Sequence, residues 1–421
     1  MITLIEALNF RSLRYISQPL GAFHILVGPN ASGKTTFLDV IAFINQLVSN
    51  SLDAAINDGT RSFNDLLWQR QGSRFELAIE AKIPDDIAKK YTNQTKQYDV
   101  IRYELAIGLD KDSEQVSILE ERVLLKVSKY VEPIQRSLFP MQMEGTSTLI
   151  SKGVRNIQTV VNKVRNGNDY FRTEFSEKQG KSWQYAFKLG HQKSALGNLP
   201  DAETQFPATT WLRNLLTEGV QPFILNSLLI RKSSPPGQKK GFKPDGSNLP
   251  WVIDDLNKKD PKKFKEWISH LQTALPDIKD IRTIEREDDR HKYLVIEYES
   301  GLVVPSWVVS DGTLRLLALT LPAYLTDLKG GIYLIEEPEN GIHPRAVETI
   351  YQSLASVYDA QILMATHSPV ILGISESKDI LCFAKTPEGA TDIVAGNLHP
   401  ALAQWQHETN LGVLFAAGVL G

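Results

Sequence analysis

The most chemically specific pattern in the chain is Gly28-Pro29-Asn30-Ala31-Ser32-Gly33-Lys34-Thr35-Thr36, a glycine, four residues, then Gly-Lys-Thr. In this spacing backbone N–H groups cradle phosphate oxygens, the lysine reaches the β- and γ-phosphates, and the hydroxyl holds Mg²⁺. Gly28 and Gly33 permit close backbone approach, Lys34 brings charge, and Thr35 supplies the metal-ligand hydroxyl. The expected ligands are ATP and Mg²⁺. A second constellation is the apolar run Ile332-Tyr333-Leu334-Ile335 ending in Glu336-Glu337-Pro338-Glu339, the Walker B pattern. Glu336 can support the Mg²⁺ shell, and Glu337 can orient or deprotonate an attacking water.

Two further groups join these. The run Ile362-Leu363-Met364-Ala365-Thr366 ends at His367, which could reach the γ-phosphate or the water. Ser310-Asp311-Gly312-Thr313 precedes Leu314-Arg315-Leu316-Leu317-Ala318-Leu319, a helix start with a glycine and hydroxyls. Such a terminus binds anions well. It can equally be an ordinary N-cap, with Ser310 or Asp311 as acceptor.

Definite elements must position these groups. Phe23-His24-Ile25-Leu26-Val27 reads as a buried strand, and residues 36–48 place Phe37, Leu38, Ile41, Phe43, Ile44, Leu47 and Val48 at mostly helical spacing. In a parallel sheet the strand ends gather at one edge. One apparent helix, 344–358, separates the carboxylates from His367, which predicts neighbouring strands. Residues 2–9 and the following turn suggest an edge hairpin, where Arg11 or Arg14 either approaches the nucleotide or is solvated. Alternation over 75–80, 98–109 and 116–127 suggests an antiparallel sheet, and 281–285 and 293–298 read as further strands. Gln69 and Gln71 stand where a metal-sensing glutamine could sit, with a surface role the alternative. From 128 to 245 periodicity weakens, and helical segments are expected at 156–164 and 211–216.

The expected fold class is therefore α/β, a P-loop NTPase with an antiparallel β subdomain and a mainly helical insertion. Its expected divisions are 1–127, the insertion 128–245, and 246–421. The run 231–243, with Arg231, Lys232, Lys239, Lys240 and Lys243, is a candidate phosphate-backbone contact or else a solvated loop. Lys258, Lys259, Lys262, Lys263 and Lys265 follow it, partly offset by Asp254, Asp255 and Asp260.

Composition bounds the rest. A chain of 421 residues with 42% hydrophobic content can bury a large core, and a net charge of −3 means that any nucleic-acid contact needs a local patch. The single cysteine, Cys382, excludes an intramolecular disulfide framework and a multi-thiolate metal site. No basic leader opens the sequence, and the apolar run 314–325 is too short to span a bilayer. The expectation is a cytoplasmic protein with no membrane contact.

Together these motifs resemble the ABC-type ATPases of the SMC, RecF and OLD group, most closely the stand-alone AAA_21-type bacterial ATPases often associated with DNA repair or phage defence. The resemblance covers 1–47 and 245–421, including Asp245-Gly246-Ser247-Asn248-Leu249 and the terminal Leu414-Phe415-Ala416-Ala417-Gly418-Val419-Leu420-Gly421. It implies an ABC-type fold in which Ser310-Asp311-Gly312-Thr313 is the signature, Asn340-Gly341-Ile342-His343 the D-loop and His367 the switch histidine, with ATP sandwiched between two subunits. Three positions depart from the pattern: Ala31 stands for a loop glycine, Asp311 for the first signature glycine and Glu336 for the usual aspartate.

Two functions follow as expectations. One is an ATP-hydrolysing, dimerising switch that acts on DNA or with a DNA-processing partner. The other is a slow-turnover ATP-bound sensor that holds an effector such as a nuclease in trans. The long insertion and the signature argue against a transporter subunit. After Cys382 the separated Glu388, Asp392 and Glu408 do not form the acidic cluster of a Toprim nuclease.

Overall fold

The computed structural model describes the chain except for residues 61, 92–97, 111–113, 129–135, 142, 152–156, 176–183, 239–240, 326–329, 404–410 and 412–421. Lys239, Lys240 and the terminal 414–421 motif lie outside the described residues.

The nucleotide-side sheet contains β3 (Phe23–Val27), β10 (Val220–Phe223), β14 (Ile332–Glu336), β15 (Gln361–Ala365), β16 (Ile380–Lys385) and β17 (Thr391–Ala395). Their order is β10-β14-β15-β3-β16-β17, parallel throughout except for the β16–β17 pair. β14 and β15 are neighbours, as the spacing of the carboxylates and His367 predicts, with Glu336 opposite Ala365. Period-2 alternation divides the side chains between two cores. Leu26, Leu334, Leu363 and Ala365 enter one core, and Ile25, Val27, Tyr333, Ile335, Ile362 and Met364 enter the other.

The first of these cores is shared with an antiparallel sheet. Its strands are β1 (Ile2–Phe10), β2 (Leu13–Pro19), β4 (Arg74–Lys82), β5 (Val100–Leu109), β6 (Val116–Lys126), β7 (Ile157–Lys163), β8 (Asp169–Arg172) and β9 (Gln184–Phe187), in the order β2-β1-β4-β5-β6-β7-β8-β9. Between the two sheets runs the helix Lys34–Ser49, whose Phe43 meets Phe75 of β4 edge-on at 5.5 Å and whose Phe37 meets Phe383 of β16 at 5.6 Å. The helix that begins at the phosphate loop is thus gripped on both sides. The Gln361 side chain ties the sheets directly, accepting from Ile2 N–H at 3.0 Å and donating to Ile2 O at 2.8 Å and Gly21 O at 2.7 Å.

The second core is closed by the helices Leu249–Lys259, Pro261–Ala274, Asp311–Thr320 and Pro344–Ala355. A small antiparallel sheet of β11 (Ile278–Glu285), β12 (Lys292–Tyr298) and β13 (Val303–Pro305) flanks them.

Within 128–245 the expected helix at 211–216 is present as Pro207–Asn214, which continues into a π-turn at Leu215–Gly219. The segment read as helical at 156–164 is instead β7, paired with β6. Ile157, Val160 and Val161 stand at i, i+3 and i+4 and mimic a helical face, but β-branched side chains favour an extended backbone beside an open strand edge. β10, from the same stretch, forms the end of the nucleotide-side sheet next to β14. Among the described residues no helix is long and apolar enough to cross a membrane.

Candidate functional site

The phosphate loop leaves β3 through backbone conformations that its sequence explains. Gly28 has φ +152°, and a Cβ there would stand 2.2 Å from Phe383 O. At Gly33, φ +106°, it would stand 2.1 Å from Thr391 Oγ1. Ala31 occupies the left-handed region at φ +61°, where an L-residue costs about 1–2 kcal/mol; the family's glycine at this position would be free of that strain. The helix Lys34–Ser49 has no side-chain cap and no acidic residue in its first turn. Its leading N–H groups therefore form an uncontested anion site. Ser32 Oγ is buried without a hydrogen-bond partner among the described residues, a spare donor inside the loop.

Lys34 is 7% exposed and donates from Nζ to Gly28 O at 2.8 Å and Pro29 O at 3.0 Å. Burial lowers its pKa to about 8, against the opposing pull of Glu337 and Glu336. A triphosphate placed here would restore the charged form.

Thr35 Oγ1 donates to Glu336 Oε2 at 2.5 Å, bringing the loop hydroxyl against the exposed carboxylate at the end of β14. These are two hard oxygen donors on one solvent-open edge, a set that suits Mg²⁺, which takes few protein ligands and fills its octahedron with phosphate and water. Glu337, the next residue, sits at φ +46° and donates its N–H to Ala365 O at 2.8 Å. Asn340 Nδ2 donates to Glu337 Oε2, so the segment after Walker B holds the second carboxylate in place.

His367 follows β15 on the same edge. Its N–H donates to Glu339 Oε1 at 2.8 Å, and Thr366 Oγ1 donates to the same oxygen at 2.7 Å. The other oxygen, Glu339 Oε2, is buried without a hydrogen-bond partner among the described residues. Burial, and then the charge of Lys34, lower the His367 pKa, with Glu337 and Glu339 acting the other way. The imidazole is accordingly neutral at pH 7 and able to accept or donate one proton. Lys34, Thr35, Glu336, Glu337 and His367 thus meet at one sheet edge.

The signature lies at the start of the Asp311–Thr320 helix, and Ser310 rather than Asp311 is its N-cap, accepting from Thr313 N–H at 3.2 Å. Ser310 Oγ and Thr313 Oγ1 are also bonded to each other, at 2.8 Å. A Cβ on Gly312 would stand 2.6 Å from Gly341 O, so this turn packs directly on the D-loop backbone. Asp311 is ion-paired with Arg231 at 2.6 Å.

Several contributors carry no local signal. Thr391, at the start of β17, donates its hydroxyl to Ser32 O at 2.9 Å, is hydrogen-bonded to Ser12 Oγ at the same distance, and braces the loop from a residue 359 positions away from Ser32. Glu339 could have been noticed as the third carboxylate of the Walker B run. Arg11 pairs with Asp39 on the loop's own helix and lies 5.6 Å over the Phe10 ring. Gln69 is exposed and donates to Glu388 O at 3.2 Å. In the basic run Arg231 turns to Asp311, and Ser234 forms a backbone bridge with Lys292. Lys258 and Lys259 pair with Asp254 and Asp255 on one helix and Lys262 with Glu266 on the next, all at i,i+4 spacing, so these lysines are compensated within their own helices.

The family described as "AAA domain, putative AbiEii toxin, Type IV TA system" (AAA_21) matches residues 23–144 and 156–373. No curated protein matches the chain in sequence. Among solved structures, the chain is similar to an Smc head bound to the C-winged helix domain of ScpA, with 14% identity, 93% of this chain and 96% of that one covered, and TM-score 0.49. It is also similar to an Smc head domain with an extended coiled coil bound to the C-terminal domain of ScpA derived from Pyrococcus furiosus, with 14% identity, 96% and 98% covered, and TM-score 0.47. The SMC head domain from Thermotoga maritima matches at 11% identity over 94% and 98%, with TM-score 0.39. The family match spans most of the chain and carries the assignment; these distant likenesses add nothing to it.

Proposed function

Because the chain belongs to the AAA_21 family, we propose that it binds and hydrolyses Mg·ATP and works as a dimerising switch on DNA or with a DNA-processing partner, in phage defence or DNA repair. The observation that carries this is the convergence of Lys34, Thr35, Glu336, Glu337 and His367 on one edge, with Thr35 and Glu336 in direct contact. Lys34 and the backbone N–H groups of the loop would bind the phosphates, and Thr35 and Glu336 would hold Mg²⁺, which would neutralise phosphate charge. Glu337 takes the proton of the attacking water, its carboxylate aimed by Asn340. His367, held through its backbone by Glu339, positions that water or the γ-phosphate. Ser310, Gly312 and Thr313 of a second copy close over the nucleotide, so the active form is a dimer.

The second reading is a slow-turnover ATP-bound sensor that holds a nuclease or toxin in trans. Single-turnover and steady-state hydrolysis, with and without DNA, separate the two.

The trans arrangement is tested by mixing two inactive chains. A Gly312→Asp chain is unsuitable, since its Cβ would collide with the D-loop carbonyl. Ser310→Asp keeps an N-cap acceptor while setting a carboxylate against the phosphate. Mixed with Lys34→Ala, it should recover part of the ATPase, because one composite site is intact. No recovery in verified heterodimers would reject the trans site.

A further inference from the structure

We propose that Arg231 is a positioning residue for the intersubunit site: it neutralises Asp311 and so makes the signature helix start acceptable to a triphosphate held by a second copy of the chain. The proposal rests on the trans-site reading above.

The difficulty it resolves is electrostatic. A helix N-terminus attracts anions, and an aspartate in its first turn stabilises the helix. The same aspartate repels an incoming γ-phosphate, a like-charge juxtaposition that works against association. Asp311 occupies that position, with its side chain 60% exposed.

Arg231 answers it from the protein side. Its Nε and Nη2 both donate to Asp311 Oδ1, at 3.0 and 2.6 Å, and its side chain is only 25% exposed. Nη1 donates to Trp307 O at 3.1 Å, three residues before the cap, and Arg231 O accepts from Ser306 Oγ at 2.9 Å. Arg231 is thus fastened to the segment that leads into the helix start, its guanidinium through Trp307 and its backbone through Ser306. Arg315 also feels the Asp311 charge, yet its Nη1 is turned to Leu225 O at 3.5 Å, so the hydrogen-bonded charge match comes from Arg231. Around the pair Leu228, Trp307 and Val308 are 71%, 50% and 62% exposed, apolar and aromatic surface of the kind that a partner buries at the middle of an interface.

The Asp311 side chain is largely exposed, so removal of the pair leaves a solvated carboxylate and an intact fold, and the effect appears in association. The experiment uses full-length chains carrying Glu337→Gln, with Mg·ATP, and measures association by sedimentation velocity over a concentration series. Arg231→Ala should weaken ATP-driven association about tenfold or more at low salt, as an unmatched charge near a phosphate requires. Arg231→Lys, which keeps the charge, should stay within about threefold of the parent. Arg231→Ala combined with Asp311→Asn should regain most of the loss, a rescue that a purely structural role would not give. ATP affinity of the separate chains should be the same in all. Unchanged association in Arg231→Ala, or a loss that Asp311→Asn does not restore, overturns the proposal. If the parent binds ATP without associating, the trans-site reading itself fails and the proposal falls with it.

Discussion

The two large sheets carry carboxylates of the same kind to opposite ends. In the antiparallel sheet they lie in mid-strand, buried and matched. Glu104 is fully buried and accepts from Arg102 Nε at 2.7 Å and Ser151 N–H at 2.9 Å. Glu80 meets Arg102 and Lys126 at 3.0 and 2.5 Å. Glu121 accepts from Tyr103, Ser194, Ala195 and Leu196 at 2.6–3.0 Å. In the nucleotide-side sheet the carboxylates stand at the strand end and just past it. Glu336 is exposed, Glu337 is half-buried, and one oxygen of Glu339 is buried with no hydrogen-bond partner among the described residues. Completeness of partnering separates a carboxylate that holds a fold from one left with capacity for a ligand.

That contrast breaks if the two sets respond alike to substitution. The largest effect is expected from Glu337→Gln, which should slow hydrolysis by roughly 10²–10⁴, the contribution of a positioned base, with melting temperature and ATP affinity unchanged. If Glu336→Gln did this while Glu337→Gln remained active, the carboxylate roles would be exchanged. Arg102→Ala should do the reverse, lowering stability by about 3–5 kcal/mol because it strands buried Glu104 and its neighbours, while the folded fraction keeps its kcat. Denaturant titration alongside ATPase assays checks both, and a catalytic defect without destabilisation in Arg102→Ala would erase the distinction.

Smaller effects sharpen it. Glu339→Gln should cost about tenfold in kcat, within the reach of one lost charge-assisted hydrogen bond, with little change in ATP affinity. A change in affinity alone would remove Glu339 from the positioning of His367.

The smallest signal concerns Lys34. Its pKa near 8 lies below the ordinary lysine value, so between about pH 8 and 10 the free loop is partly uncharged. Binding of a triphosphate should take up as much as one proton there, and affinity should be flat below pH 8 and fall above it. Calorimetry at pH 8.5 in buffers of different ionisation heat measures this, and equal heats after buffer correction for zero protons would show that Lys34 stays charged. The folding sign is the opposite of a salt-bridged lysine: the unfolded chain binds the extra proton in this window, so Lys34's contribution to stability rises with pH.

What was legible in the sequence follows the same division. The loop, the Walker B strand and the His367 strand each join an apolar run to its chemistry within a few residues, and the single helix between Glu337 and His367 fixes their adjacency. At β7, Ile157, Val160 and Val161 satisfy a helical and an extended pattern alike over seven residues. Thr391 has no local mark and Arg231 only that of a basic run, since what they touch is supplied by residues far along the chain. β10 shows the same limit: four residues beside a π-turn become recognisable as a strand through the edge of β14 that receives them.

The close approach of Gly312 to Gly341 O gives the molecule a gear. A helix start and the loop next to Asn340 mesh backbone to backbone, with no side chain between them to absorb slack. Asn340 in turn grips Glu337. Under the proposed roles, pressure on the outer face of 310–313 would therefore reach Glu337 of the same chain as displacement, and any side chain at 312 would act as grit between the teeth. In a pair of such molecules each subunit would sense through this gear whether its neighbour is loaded, so that the two cleavage events keep common time.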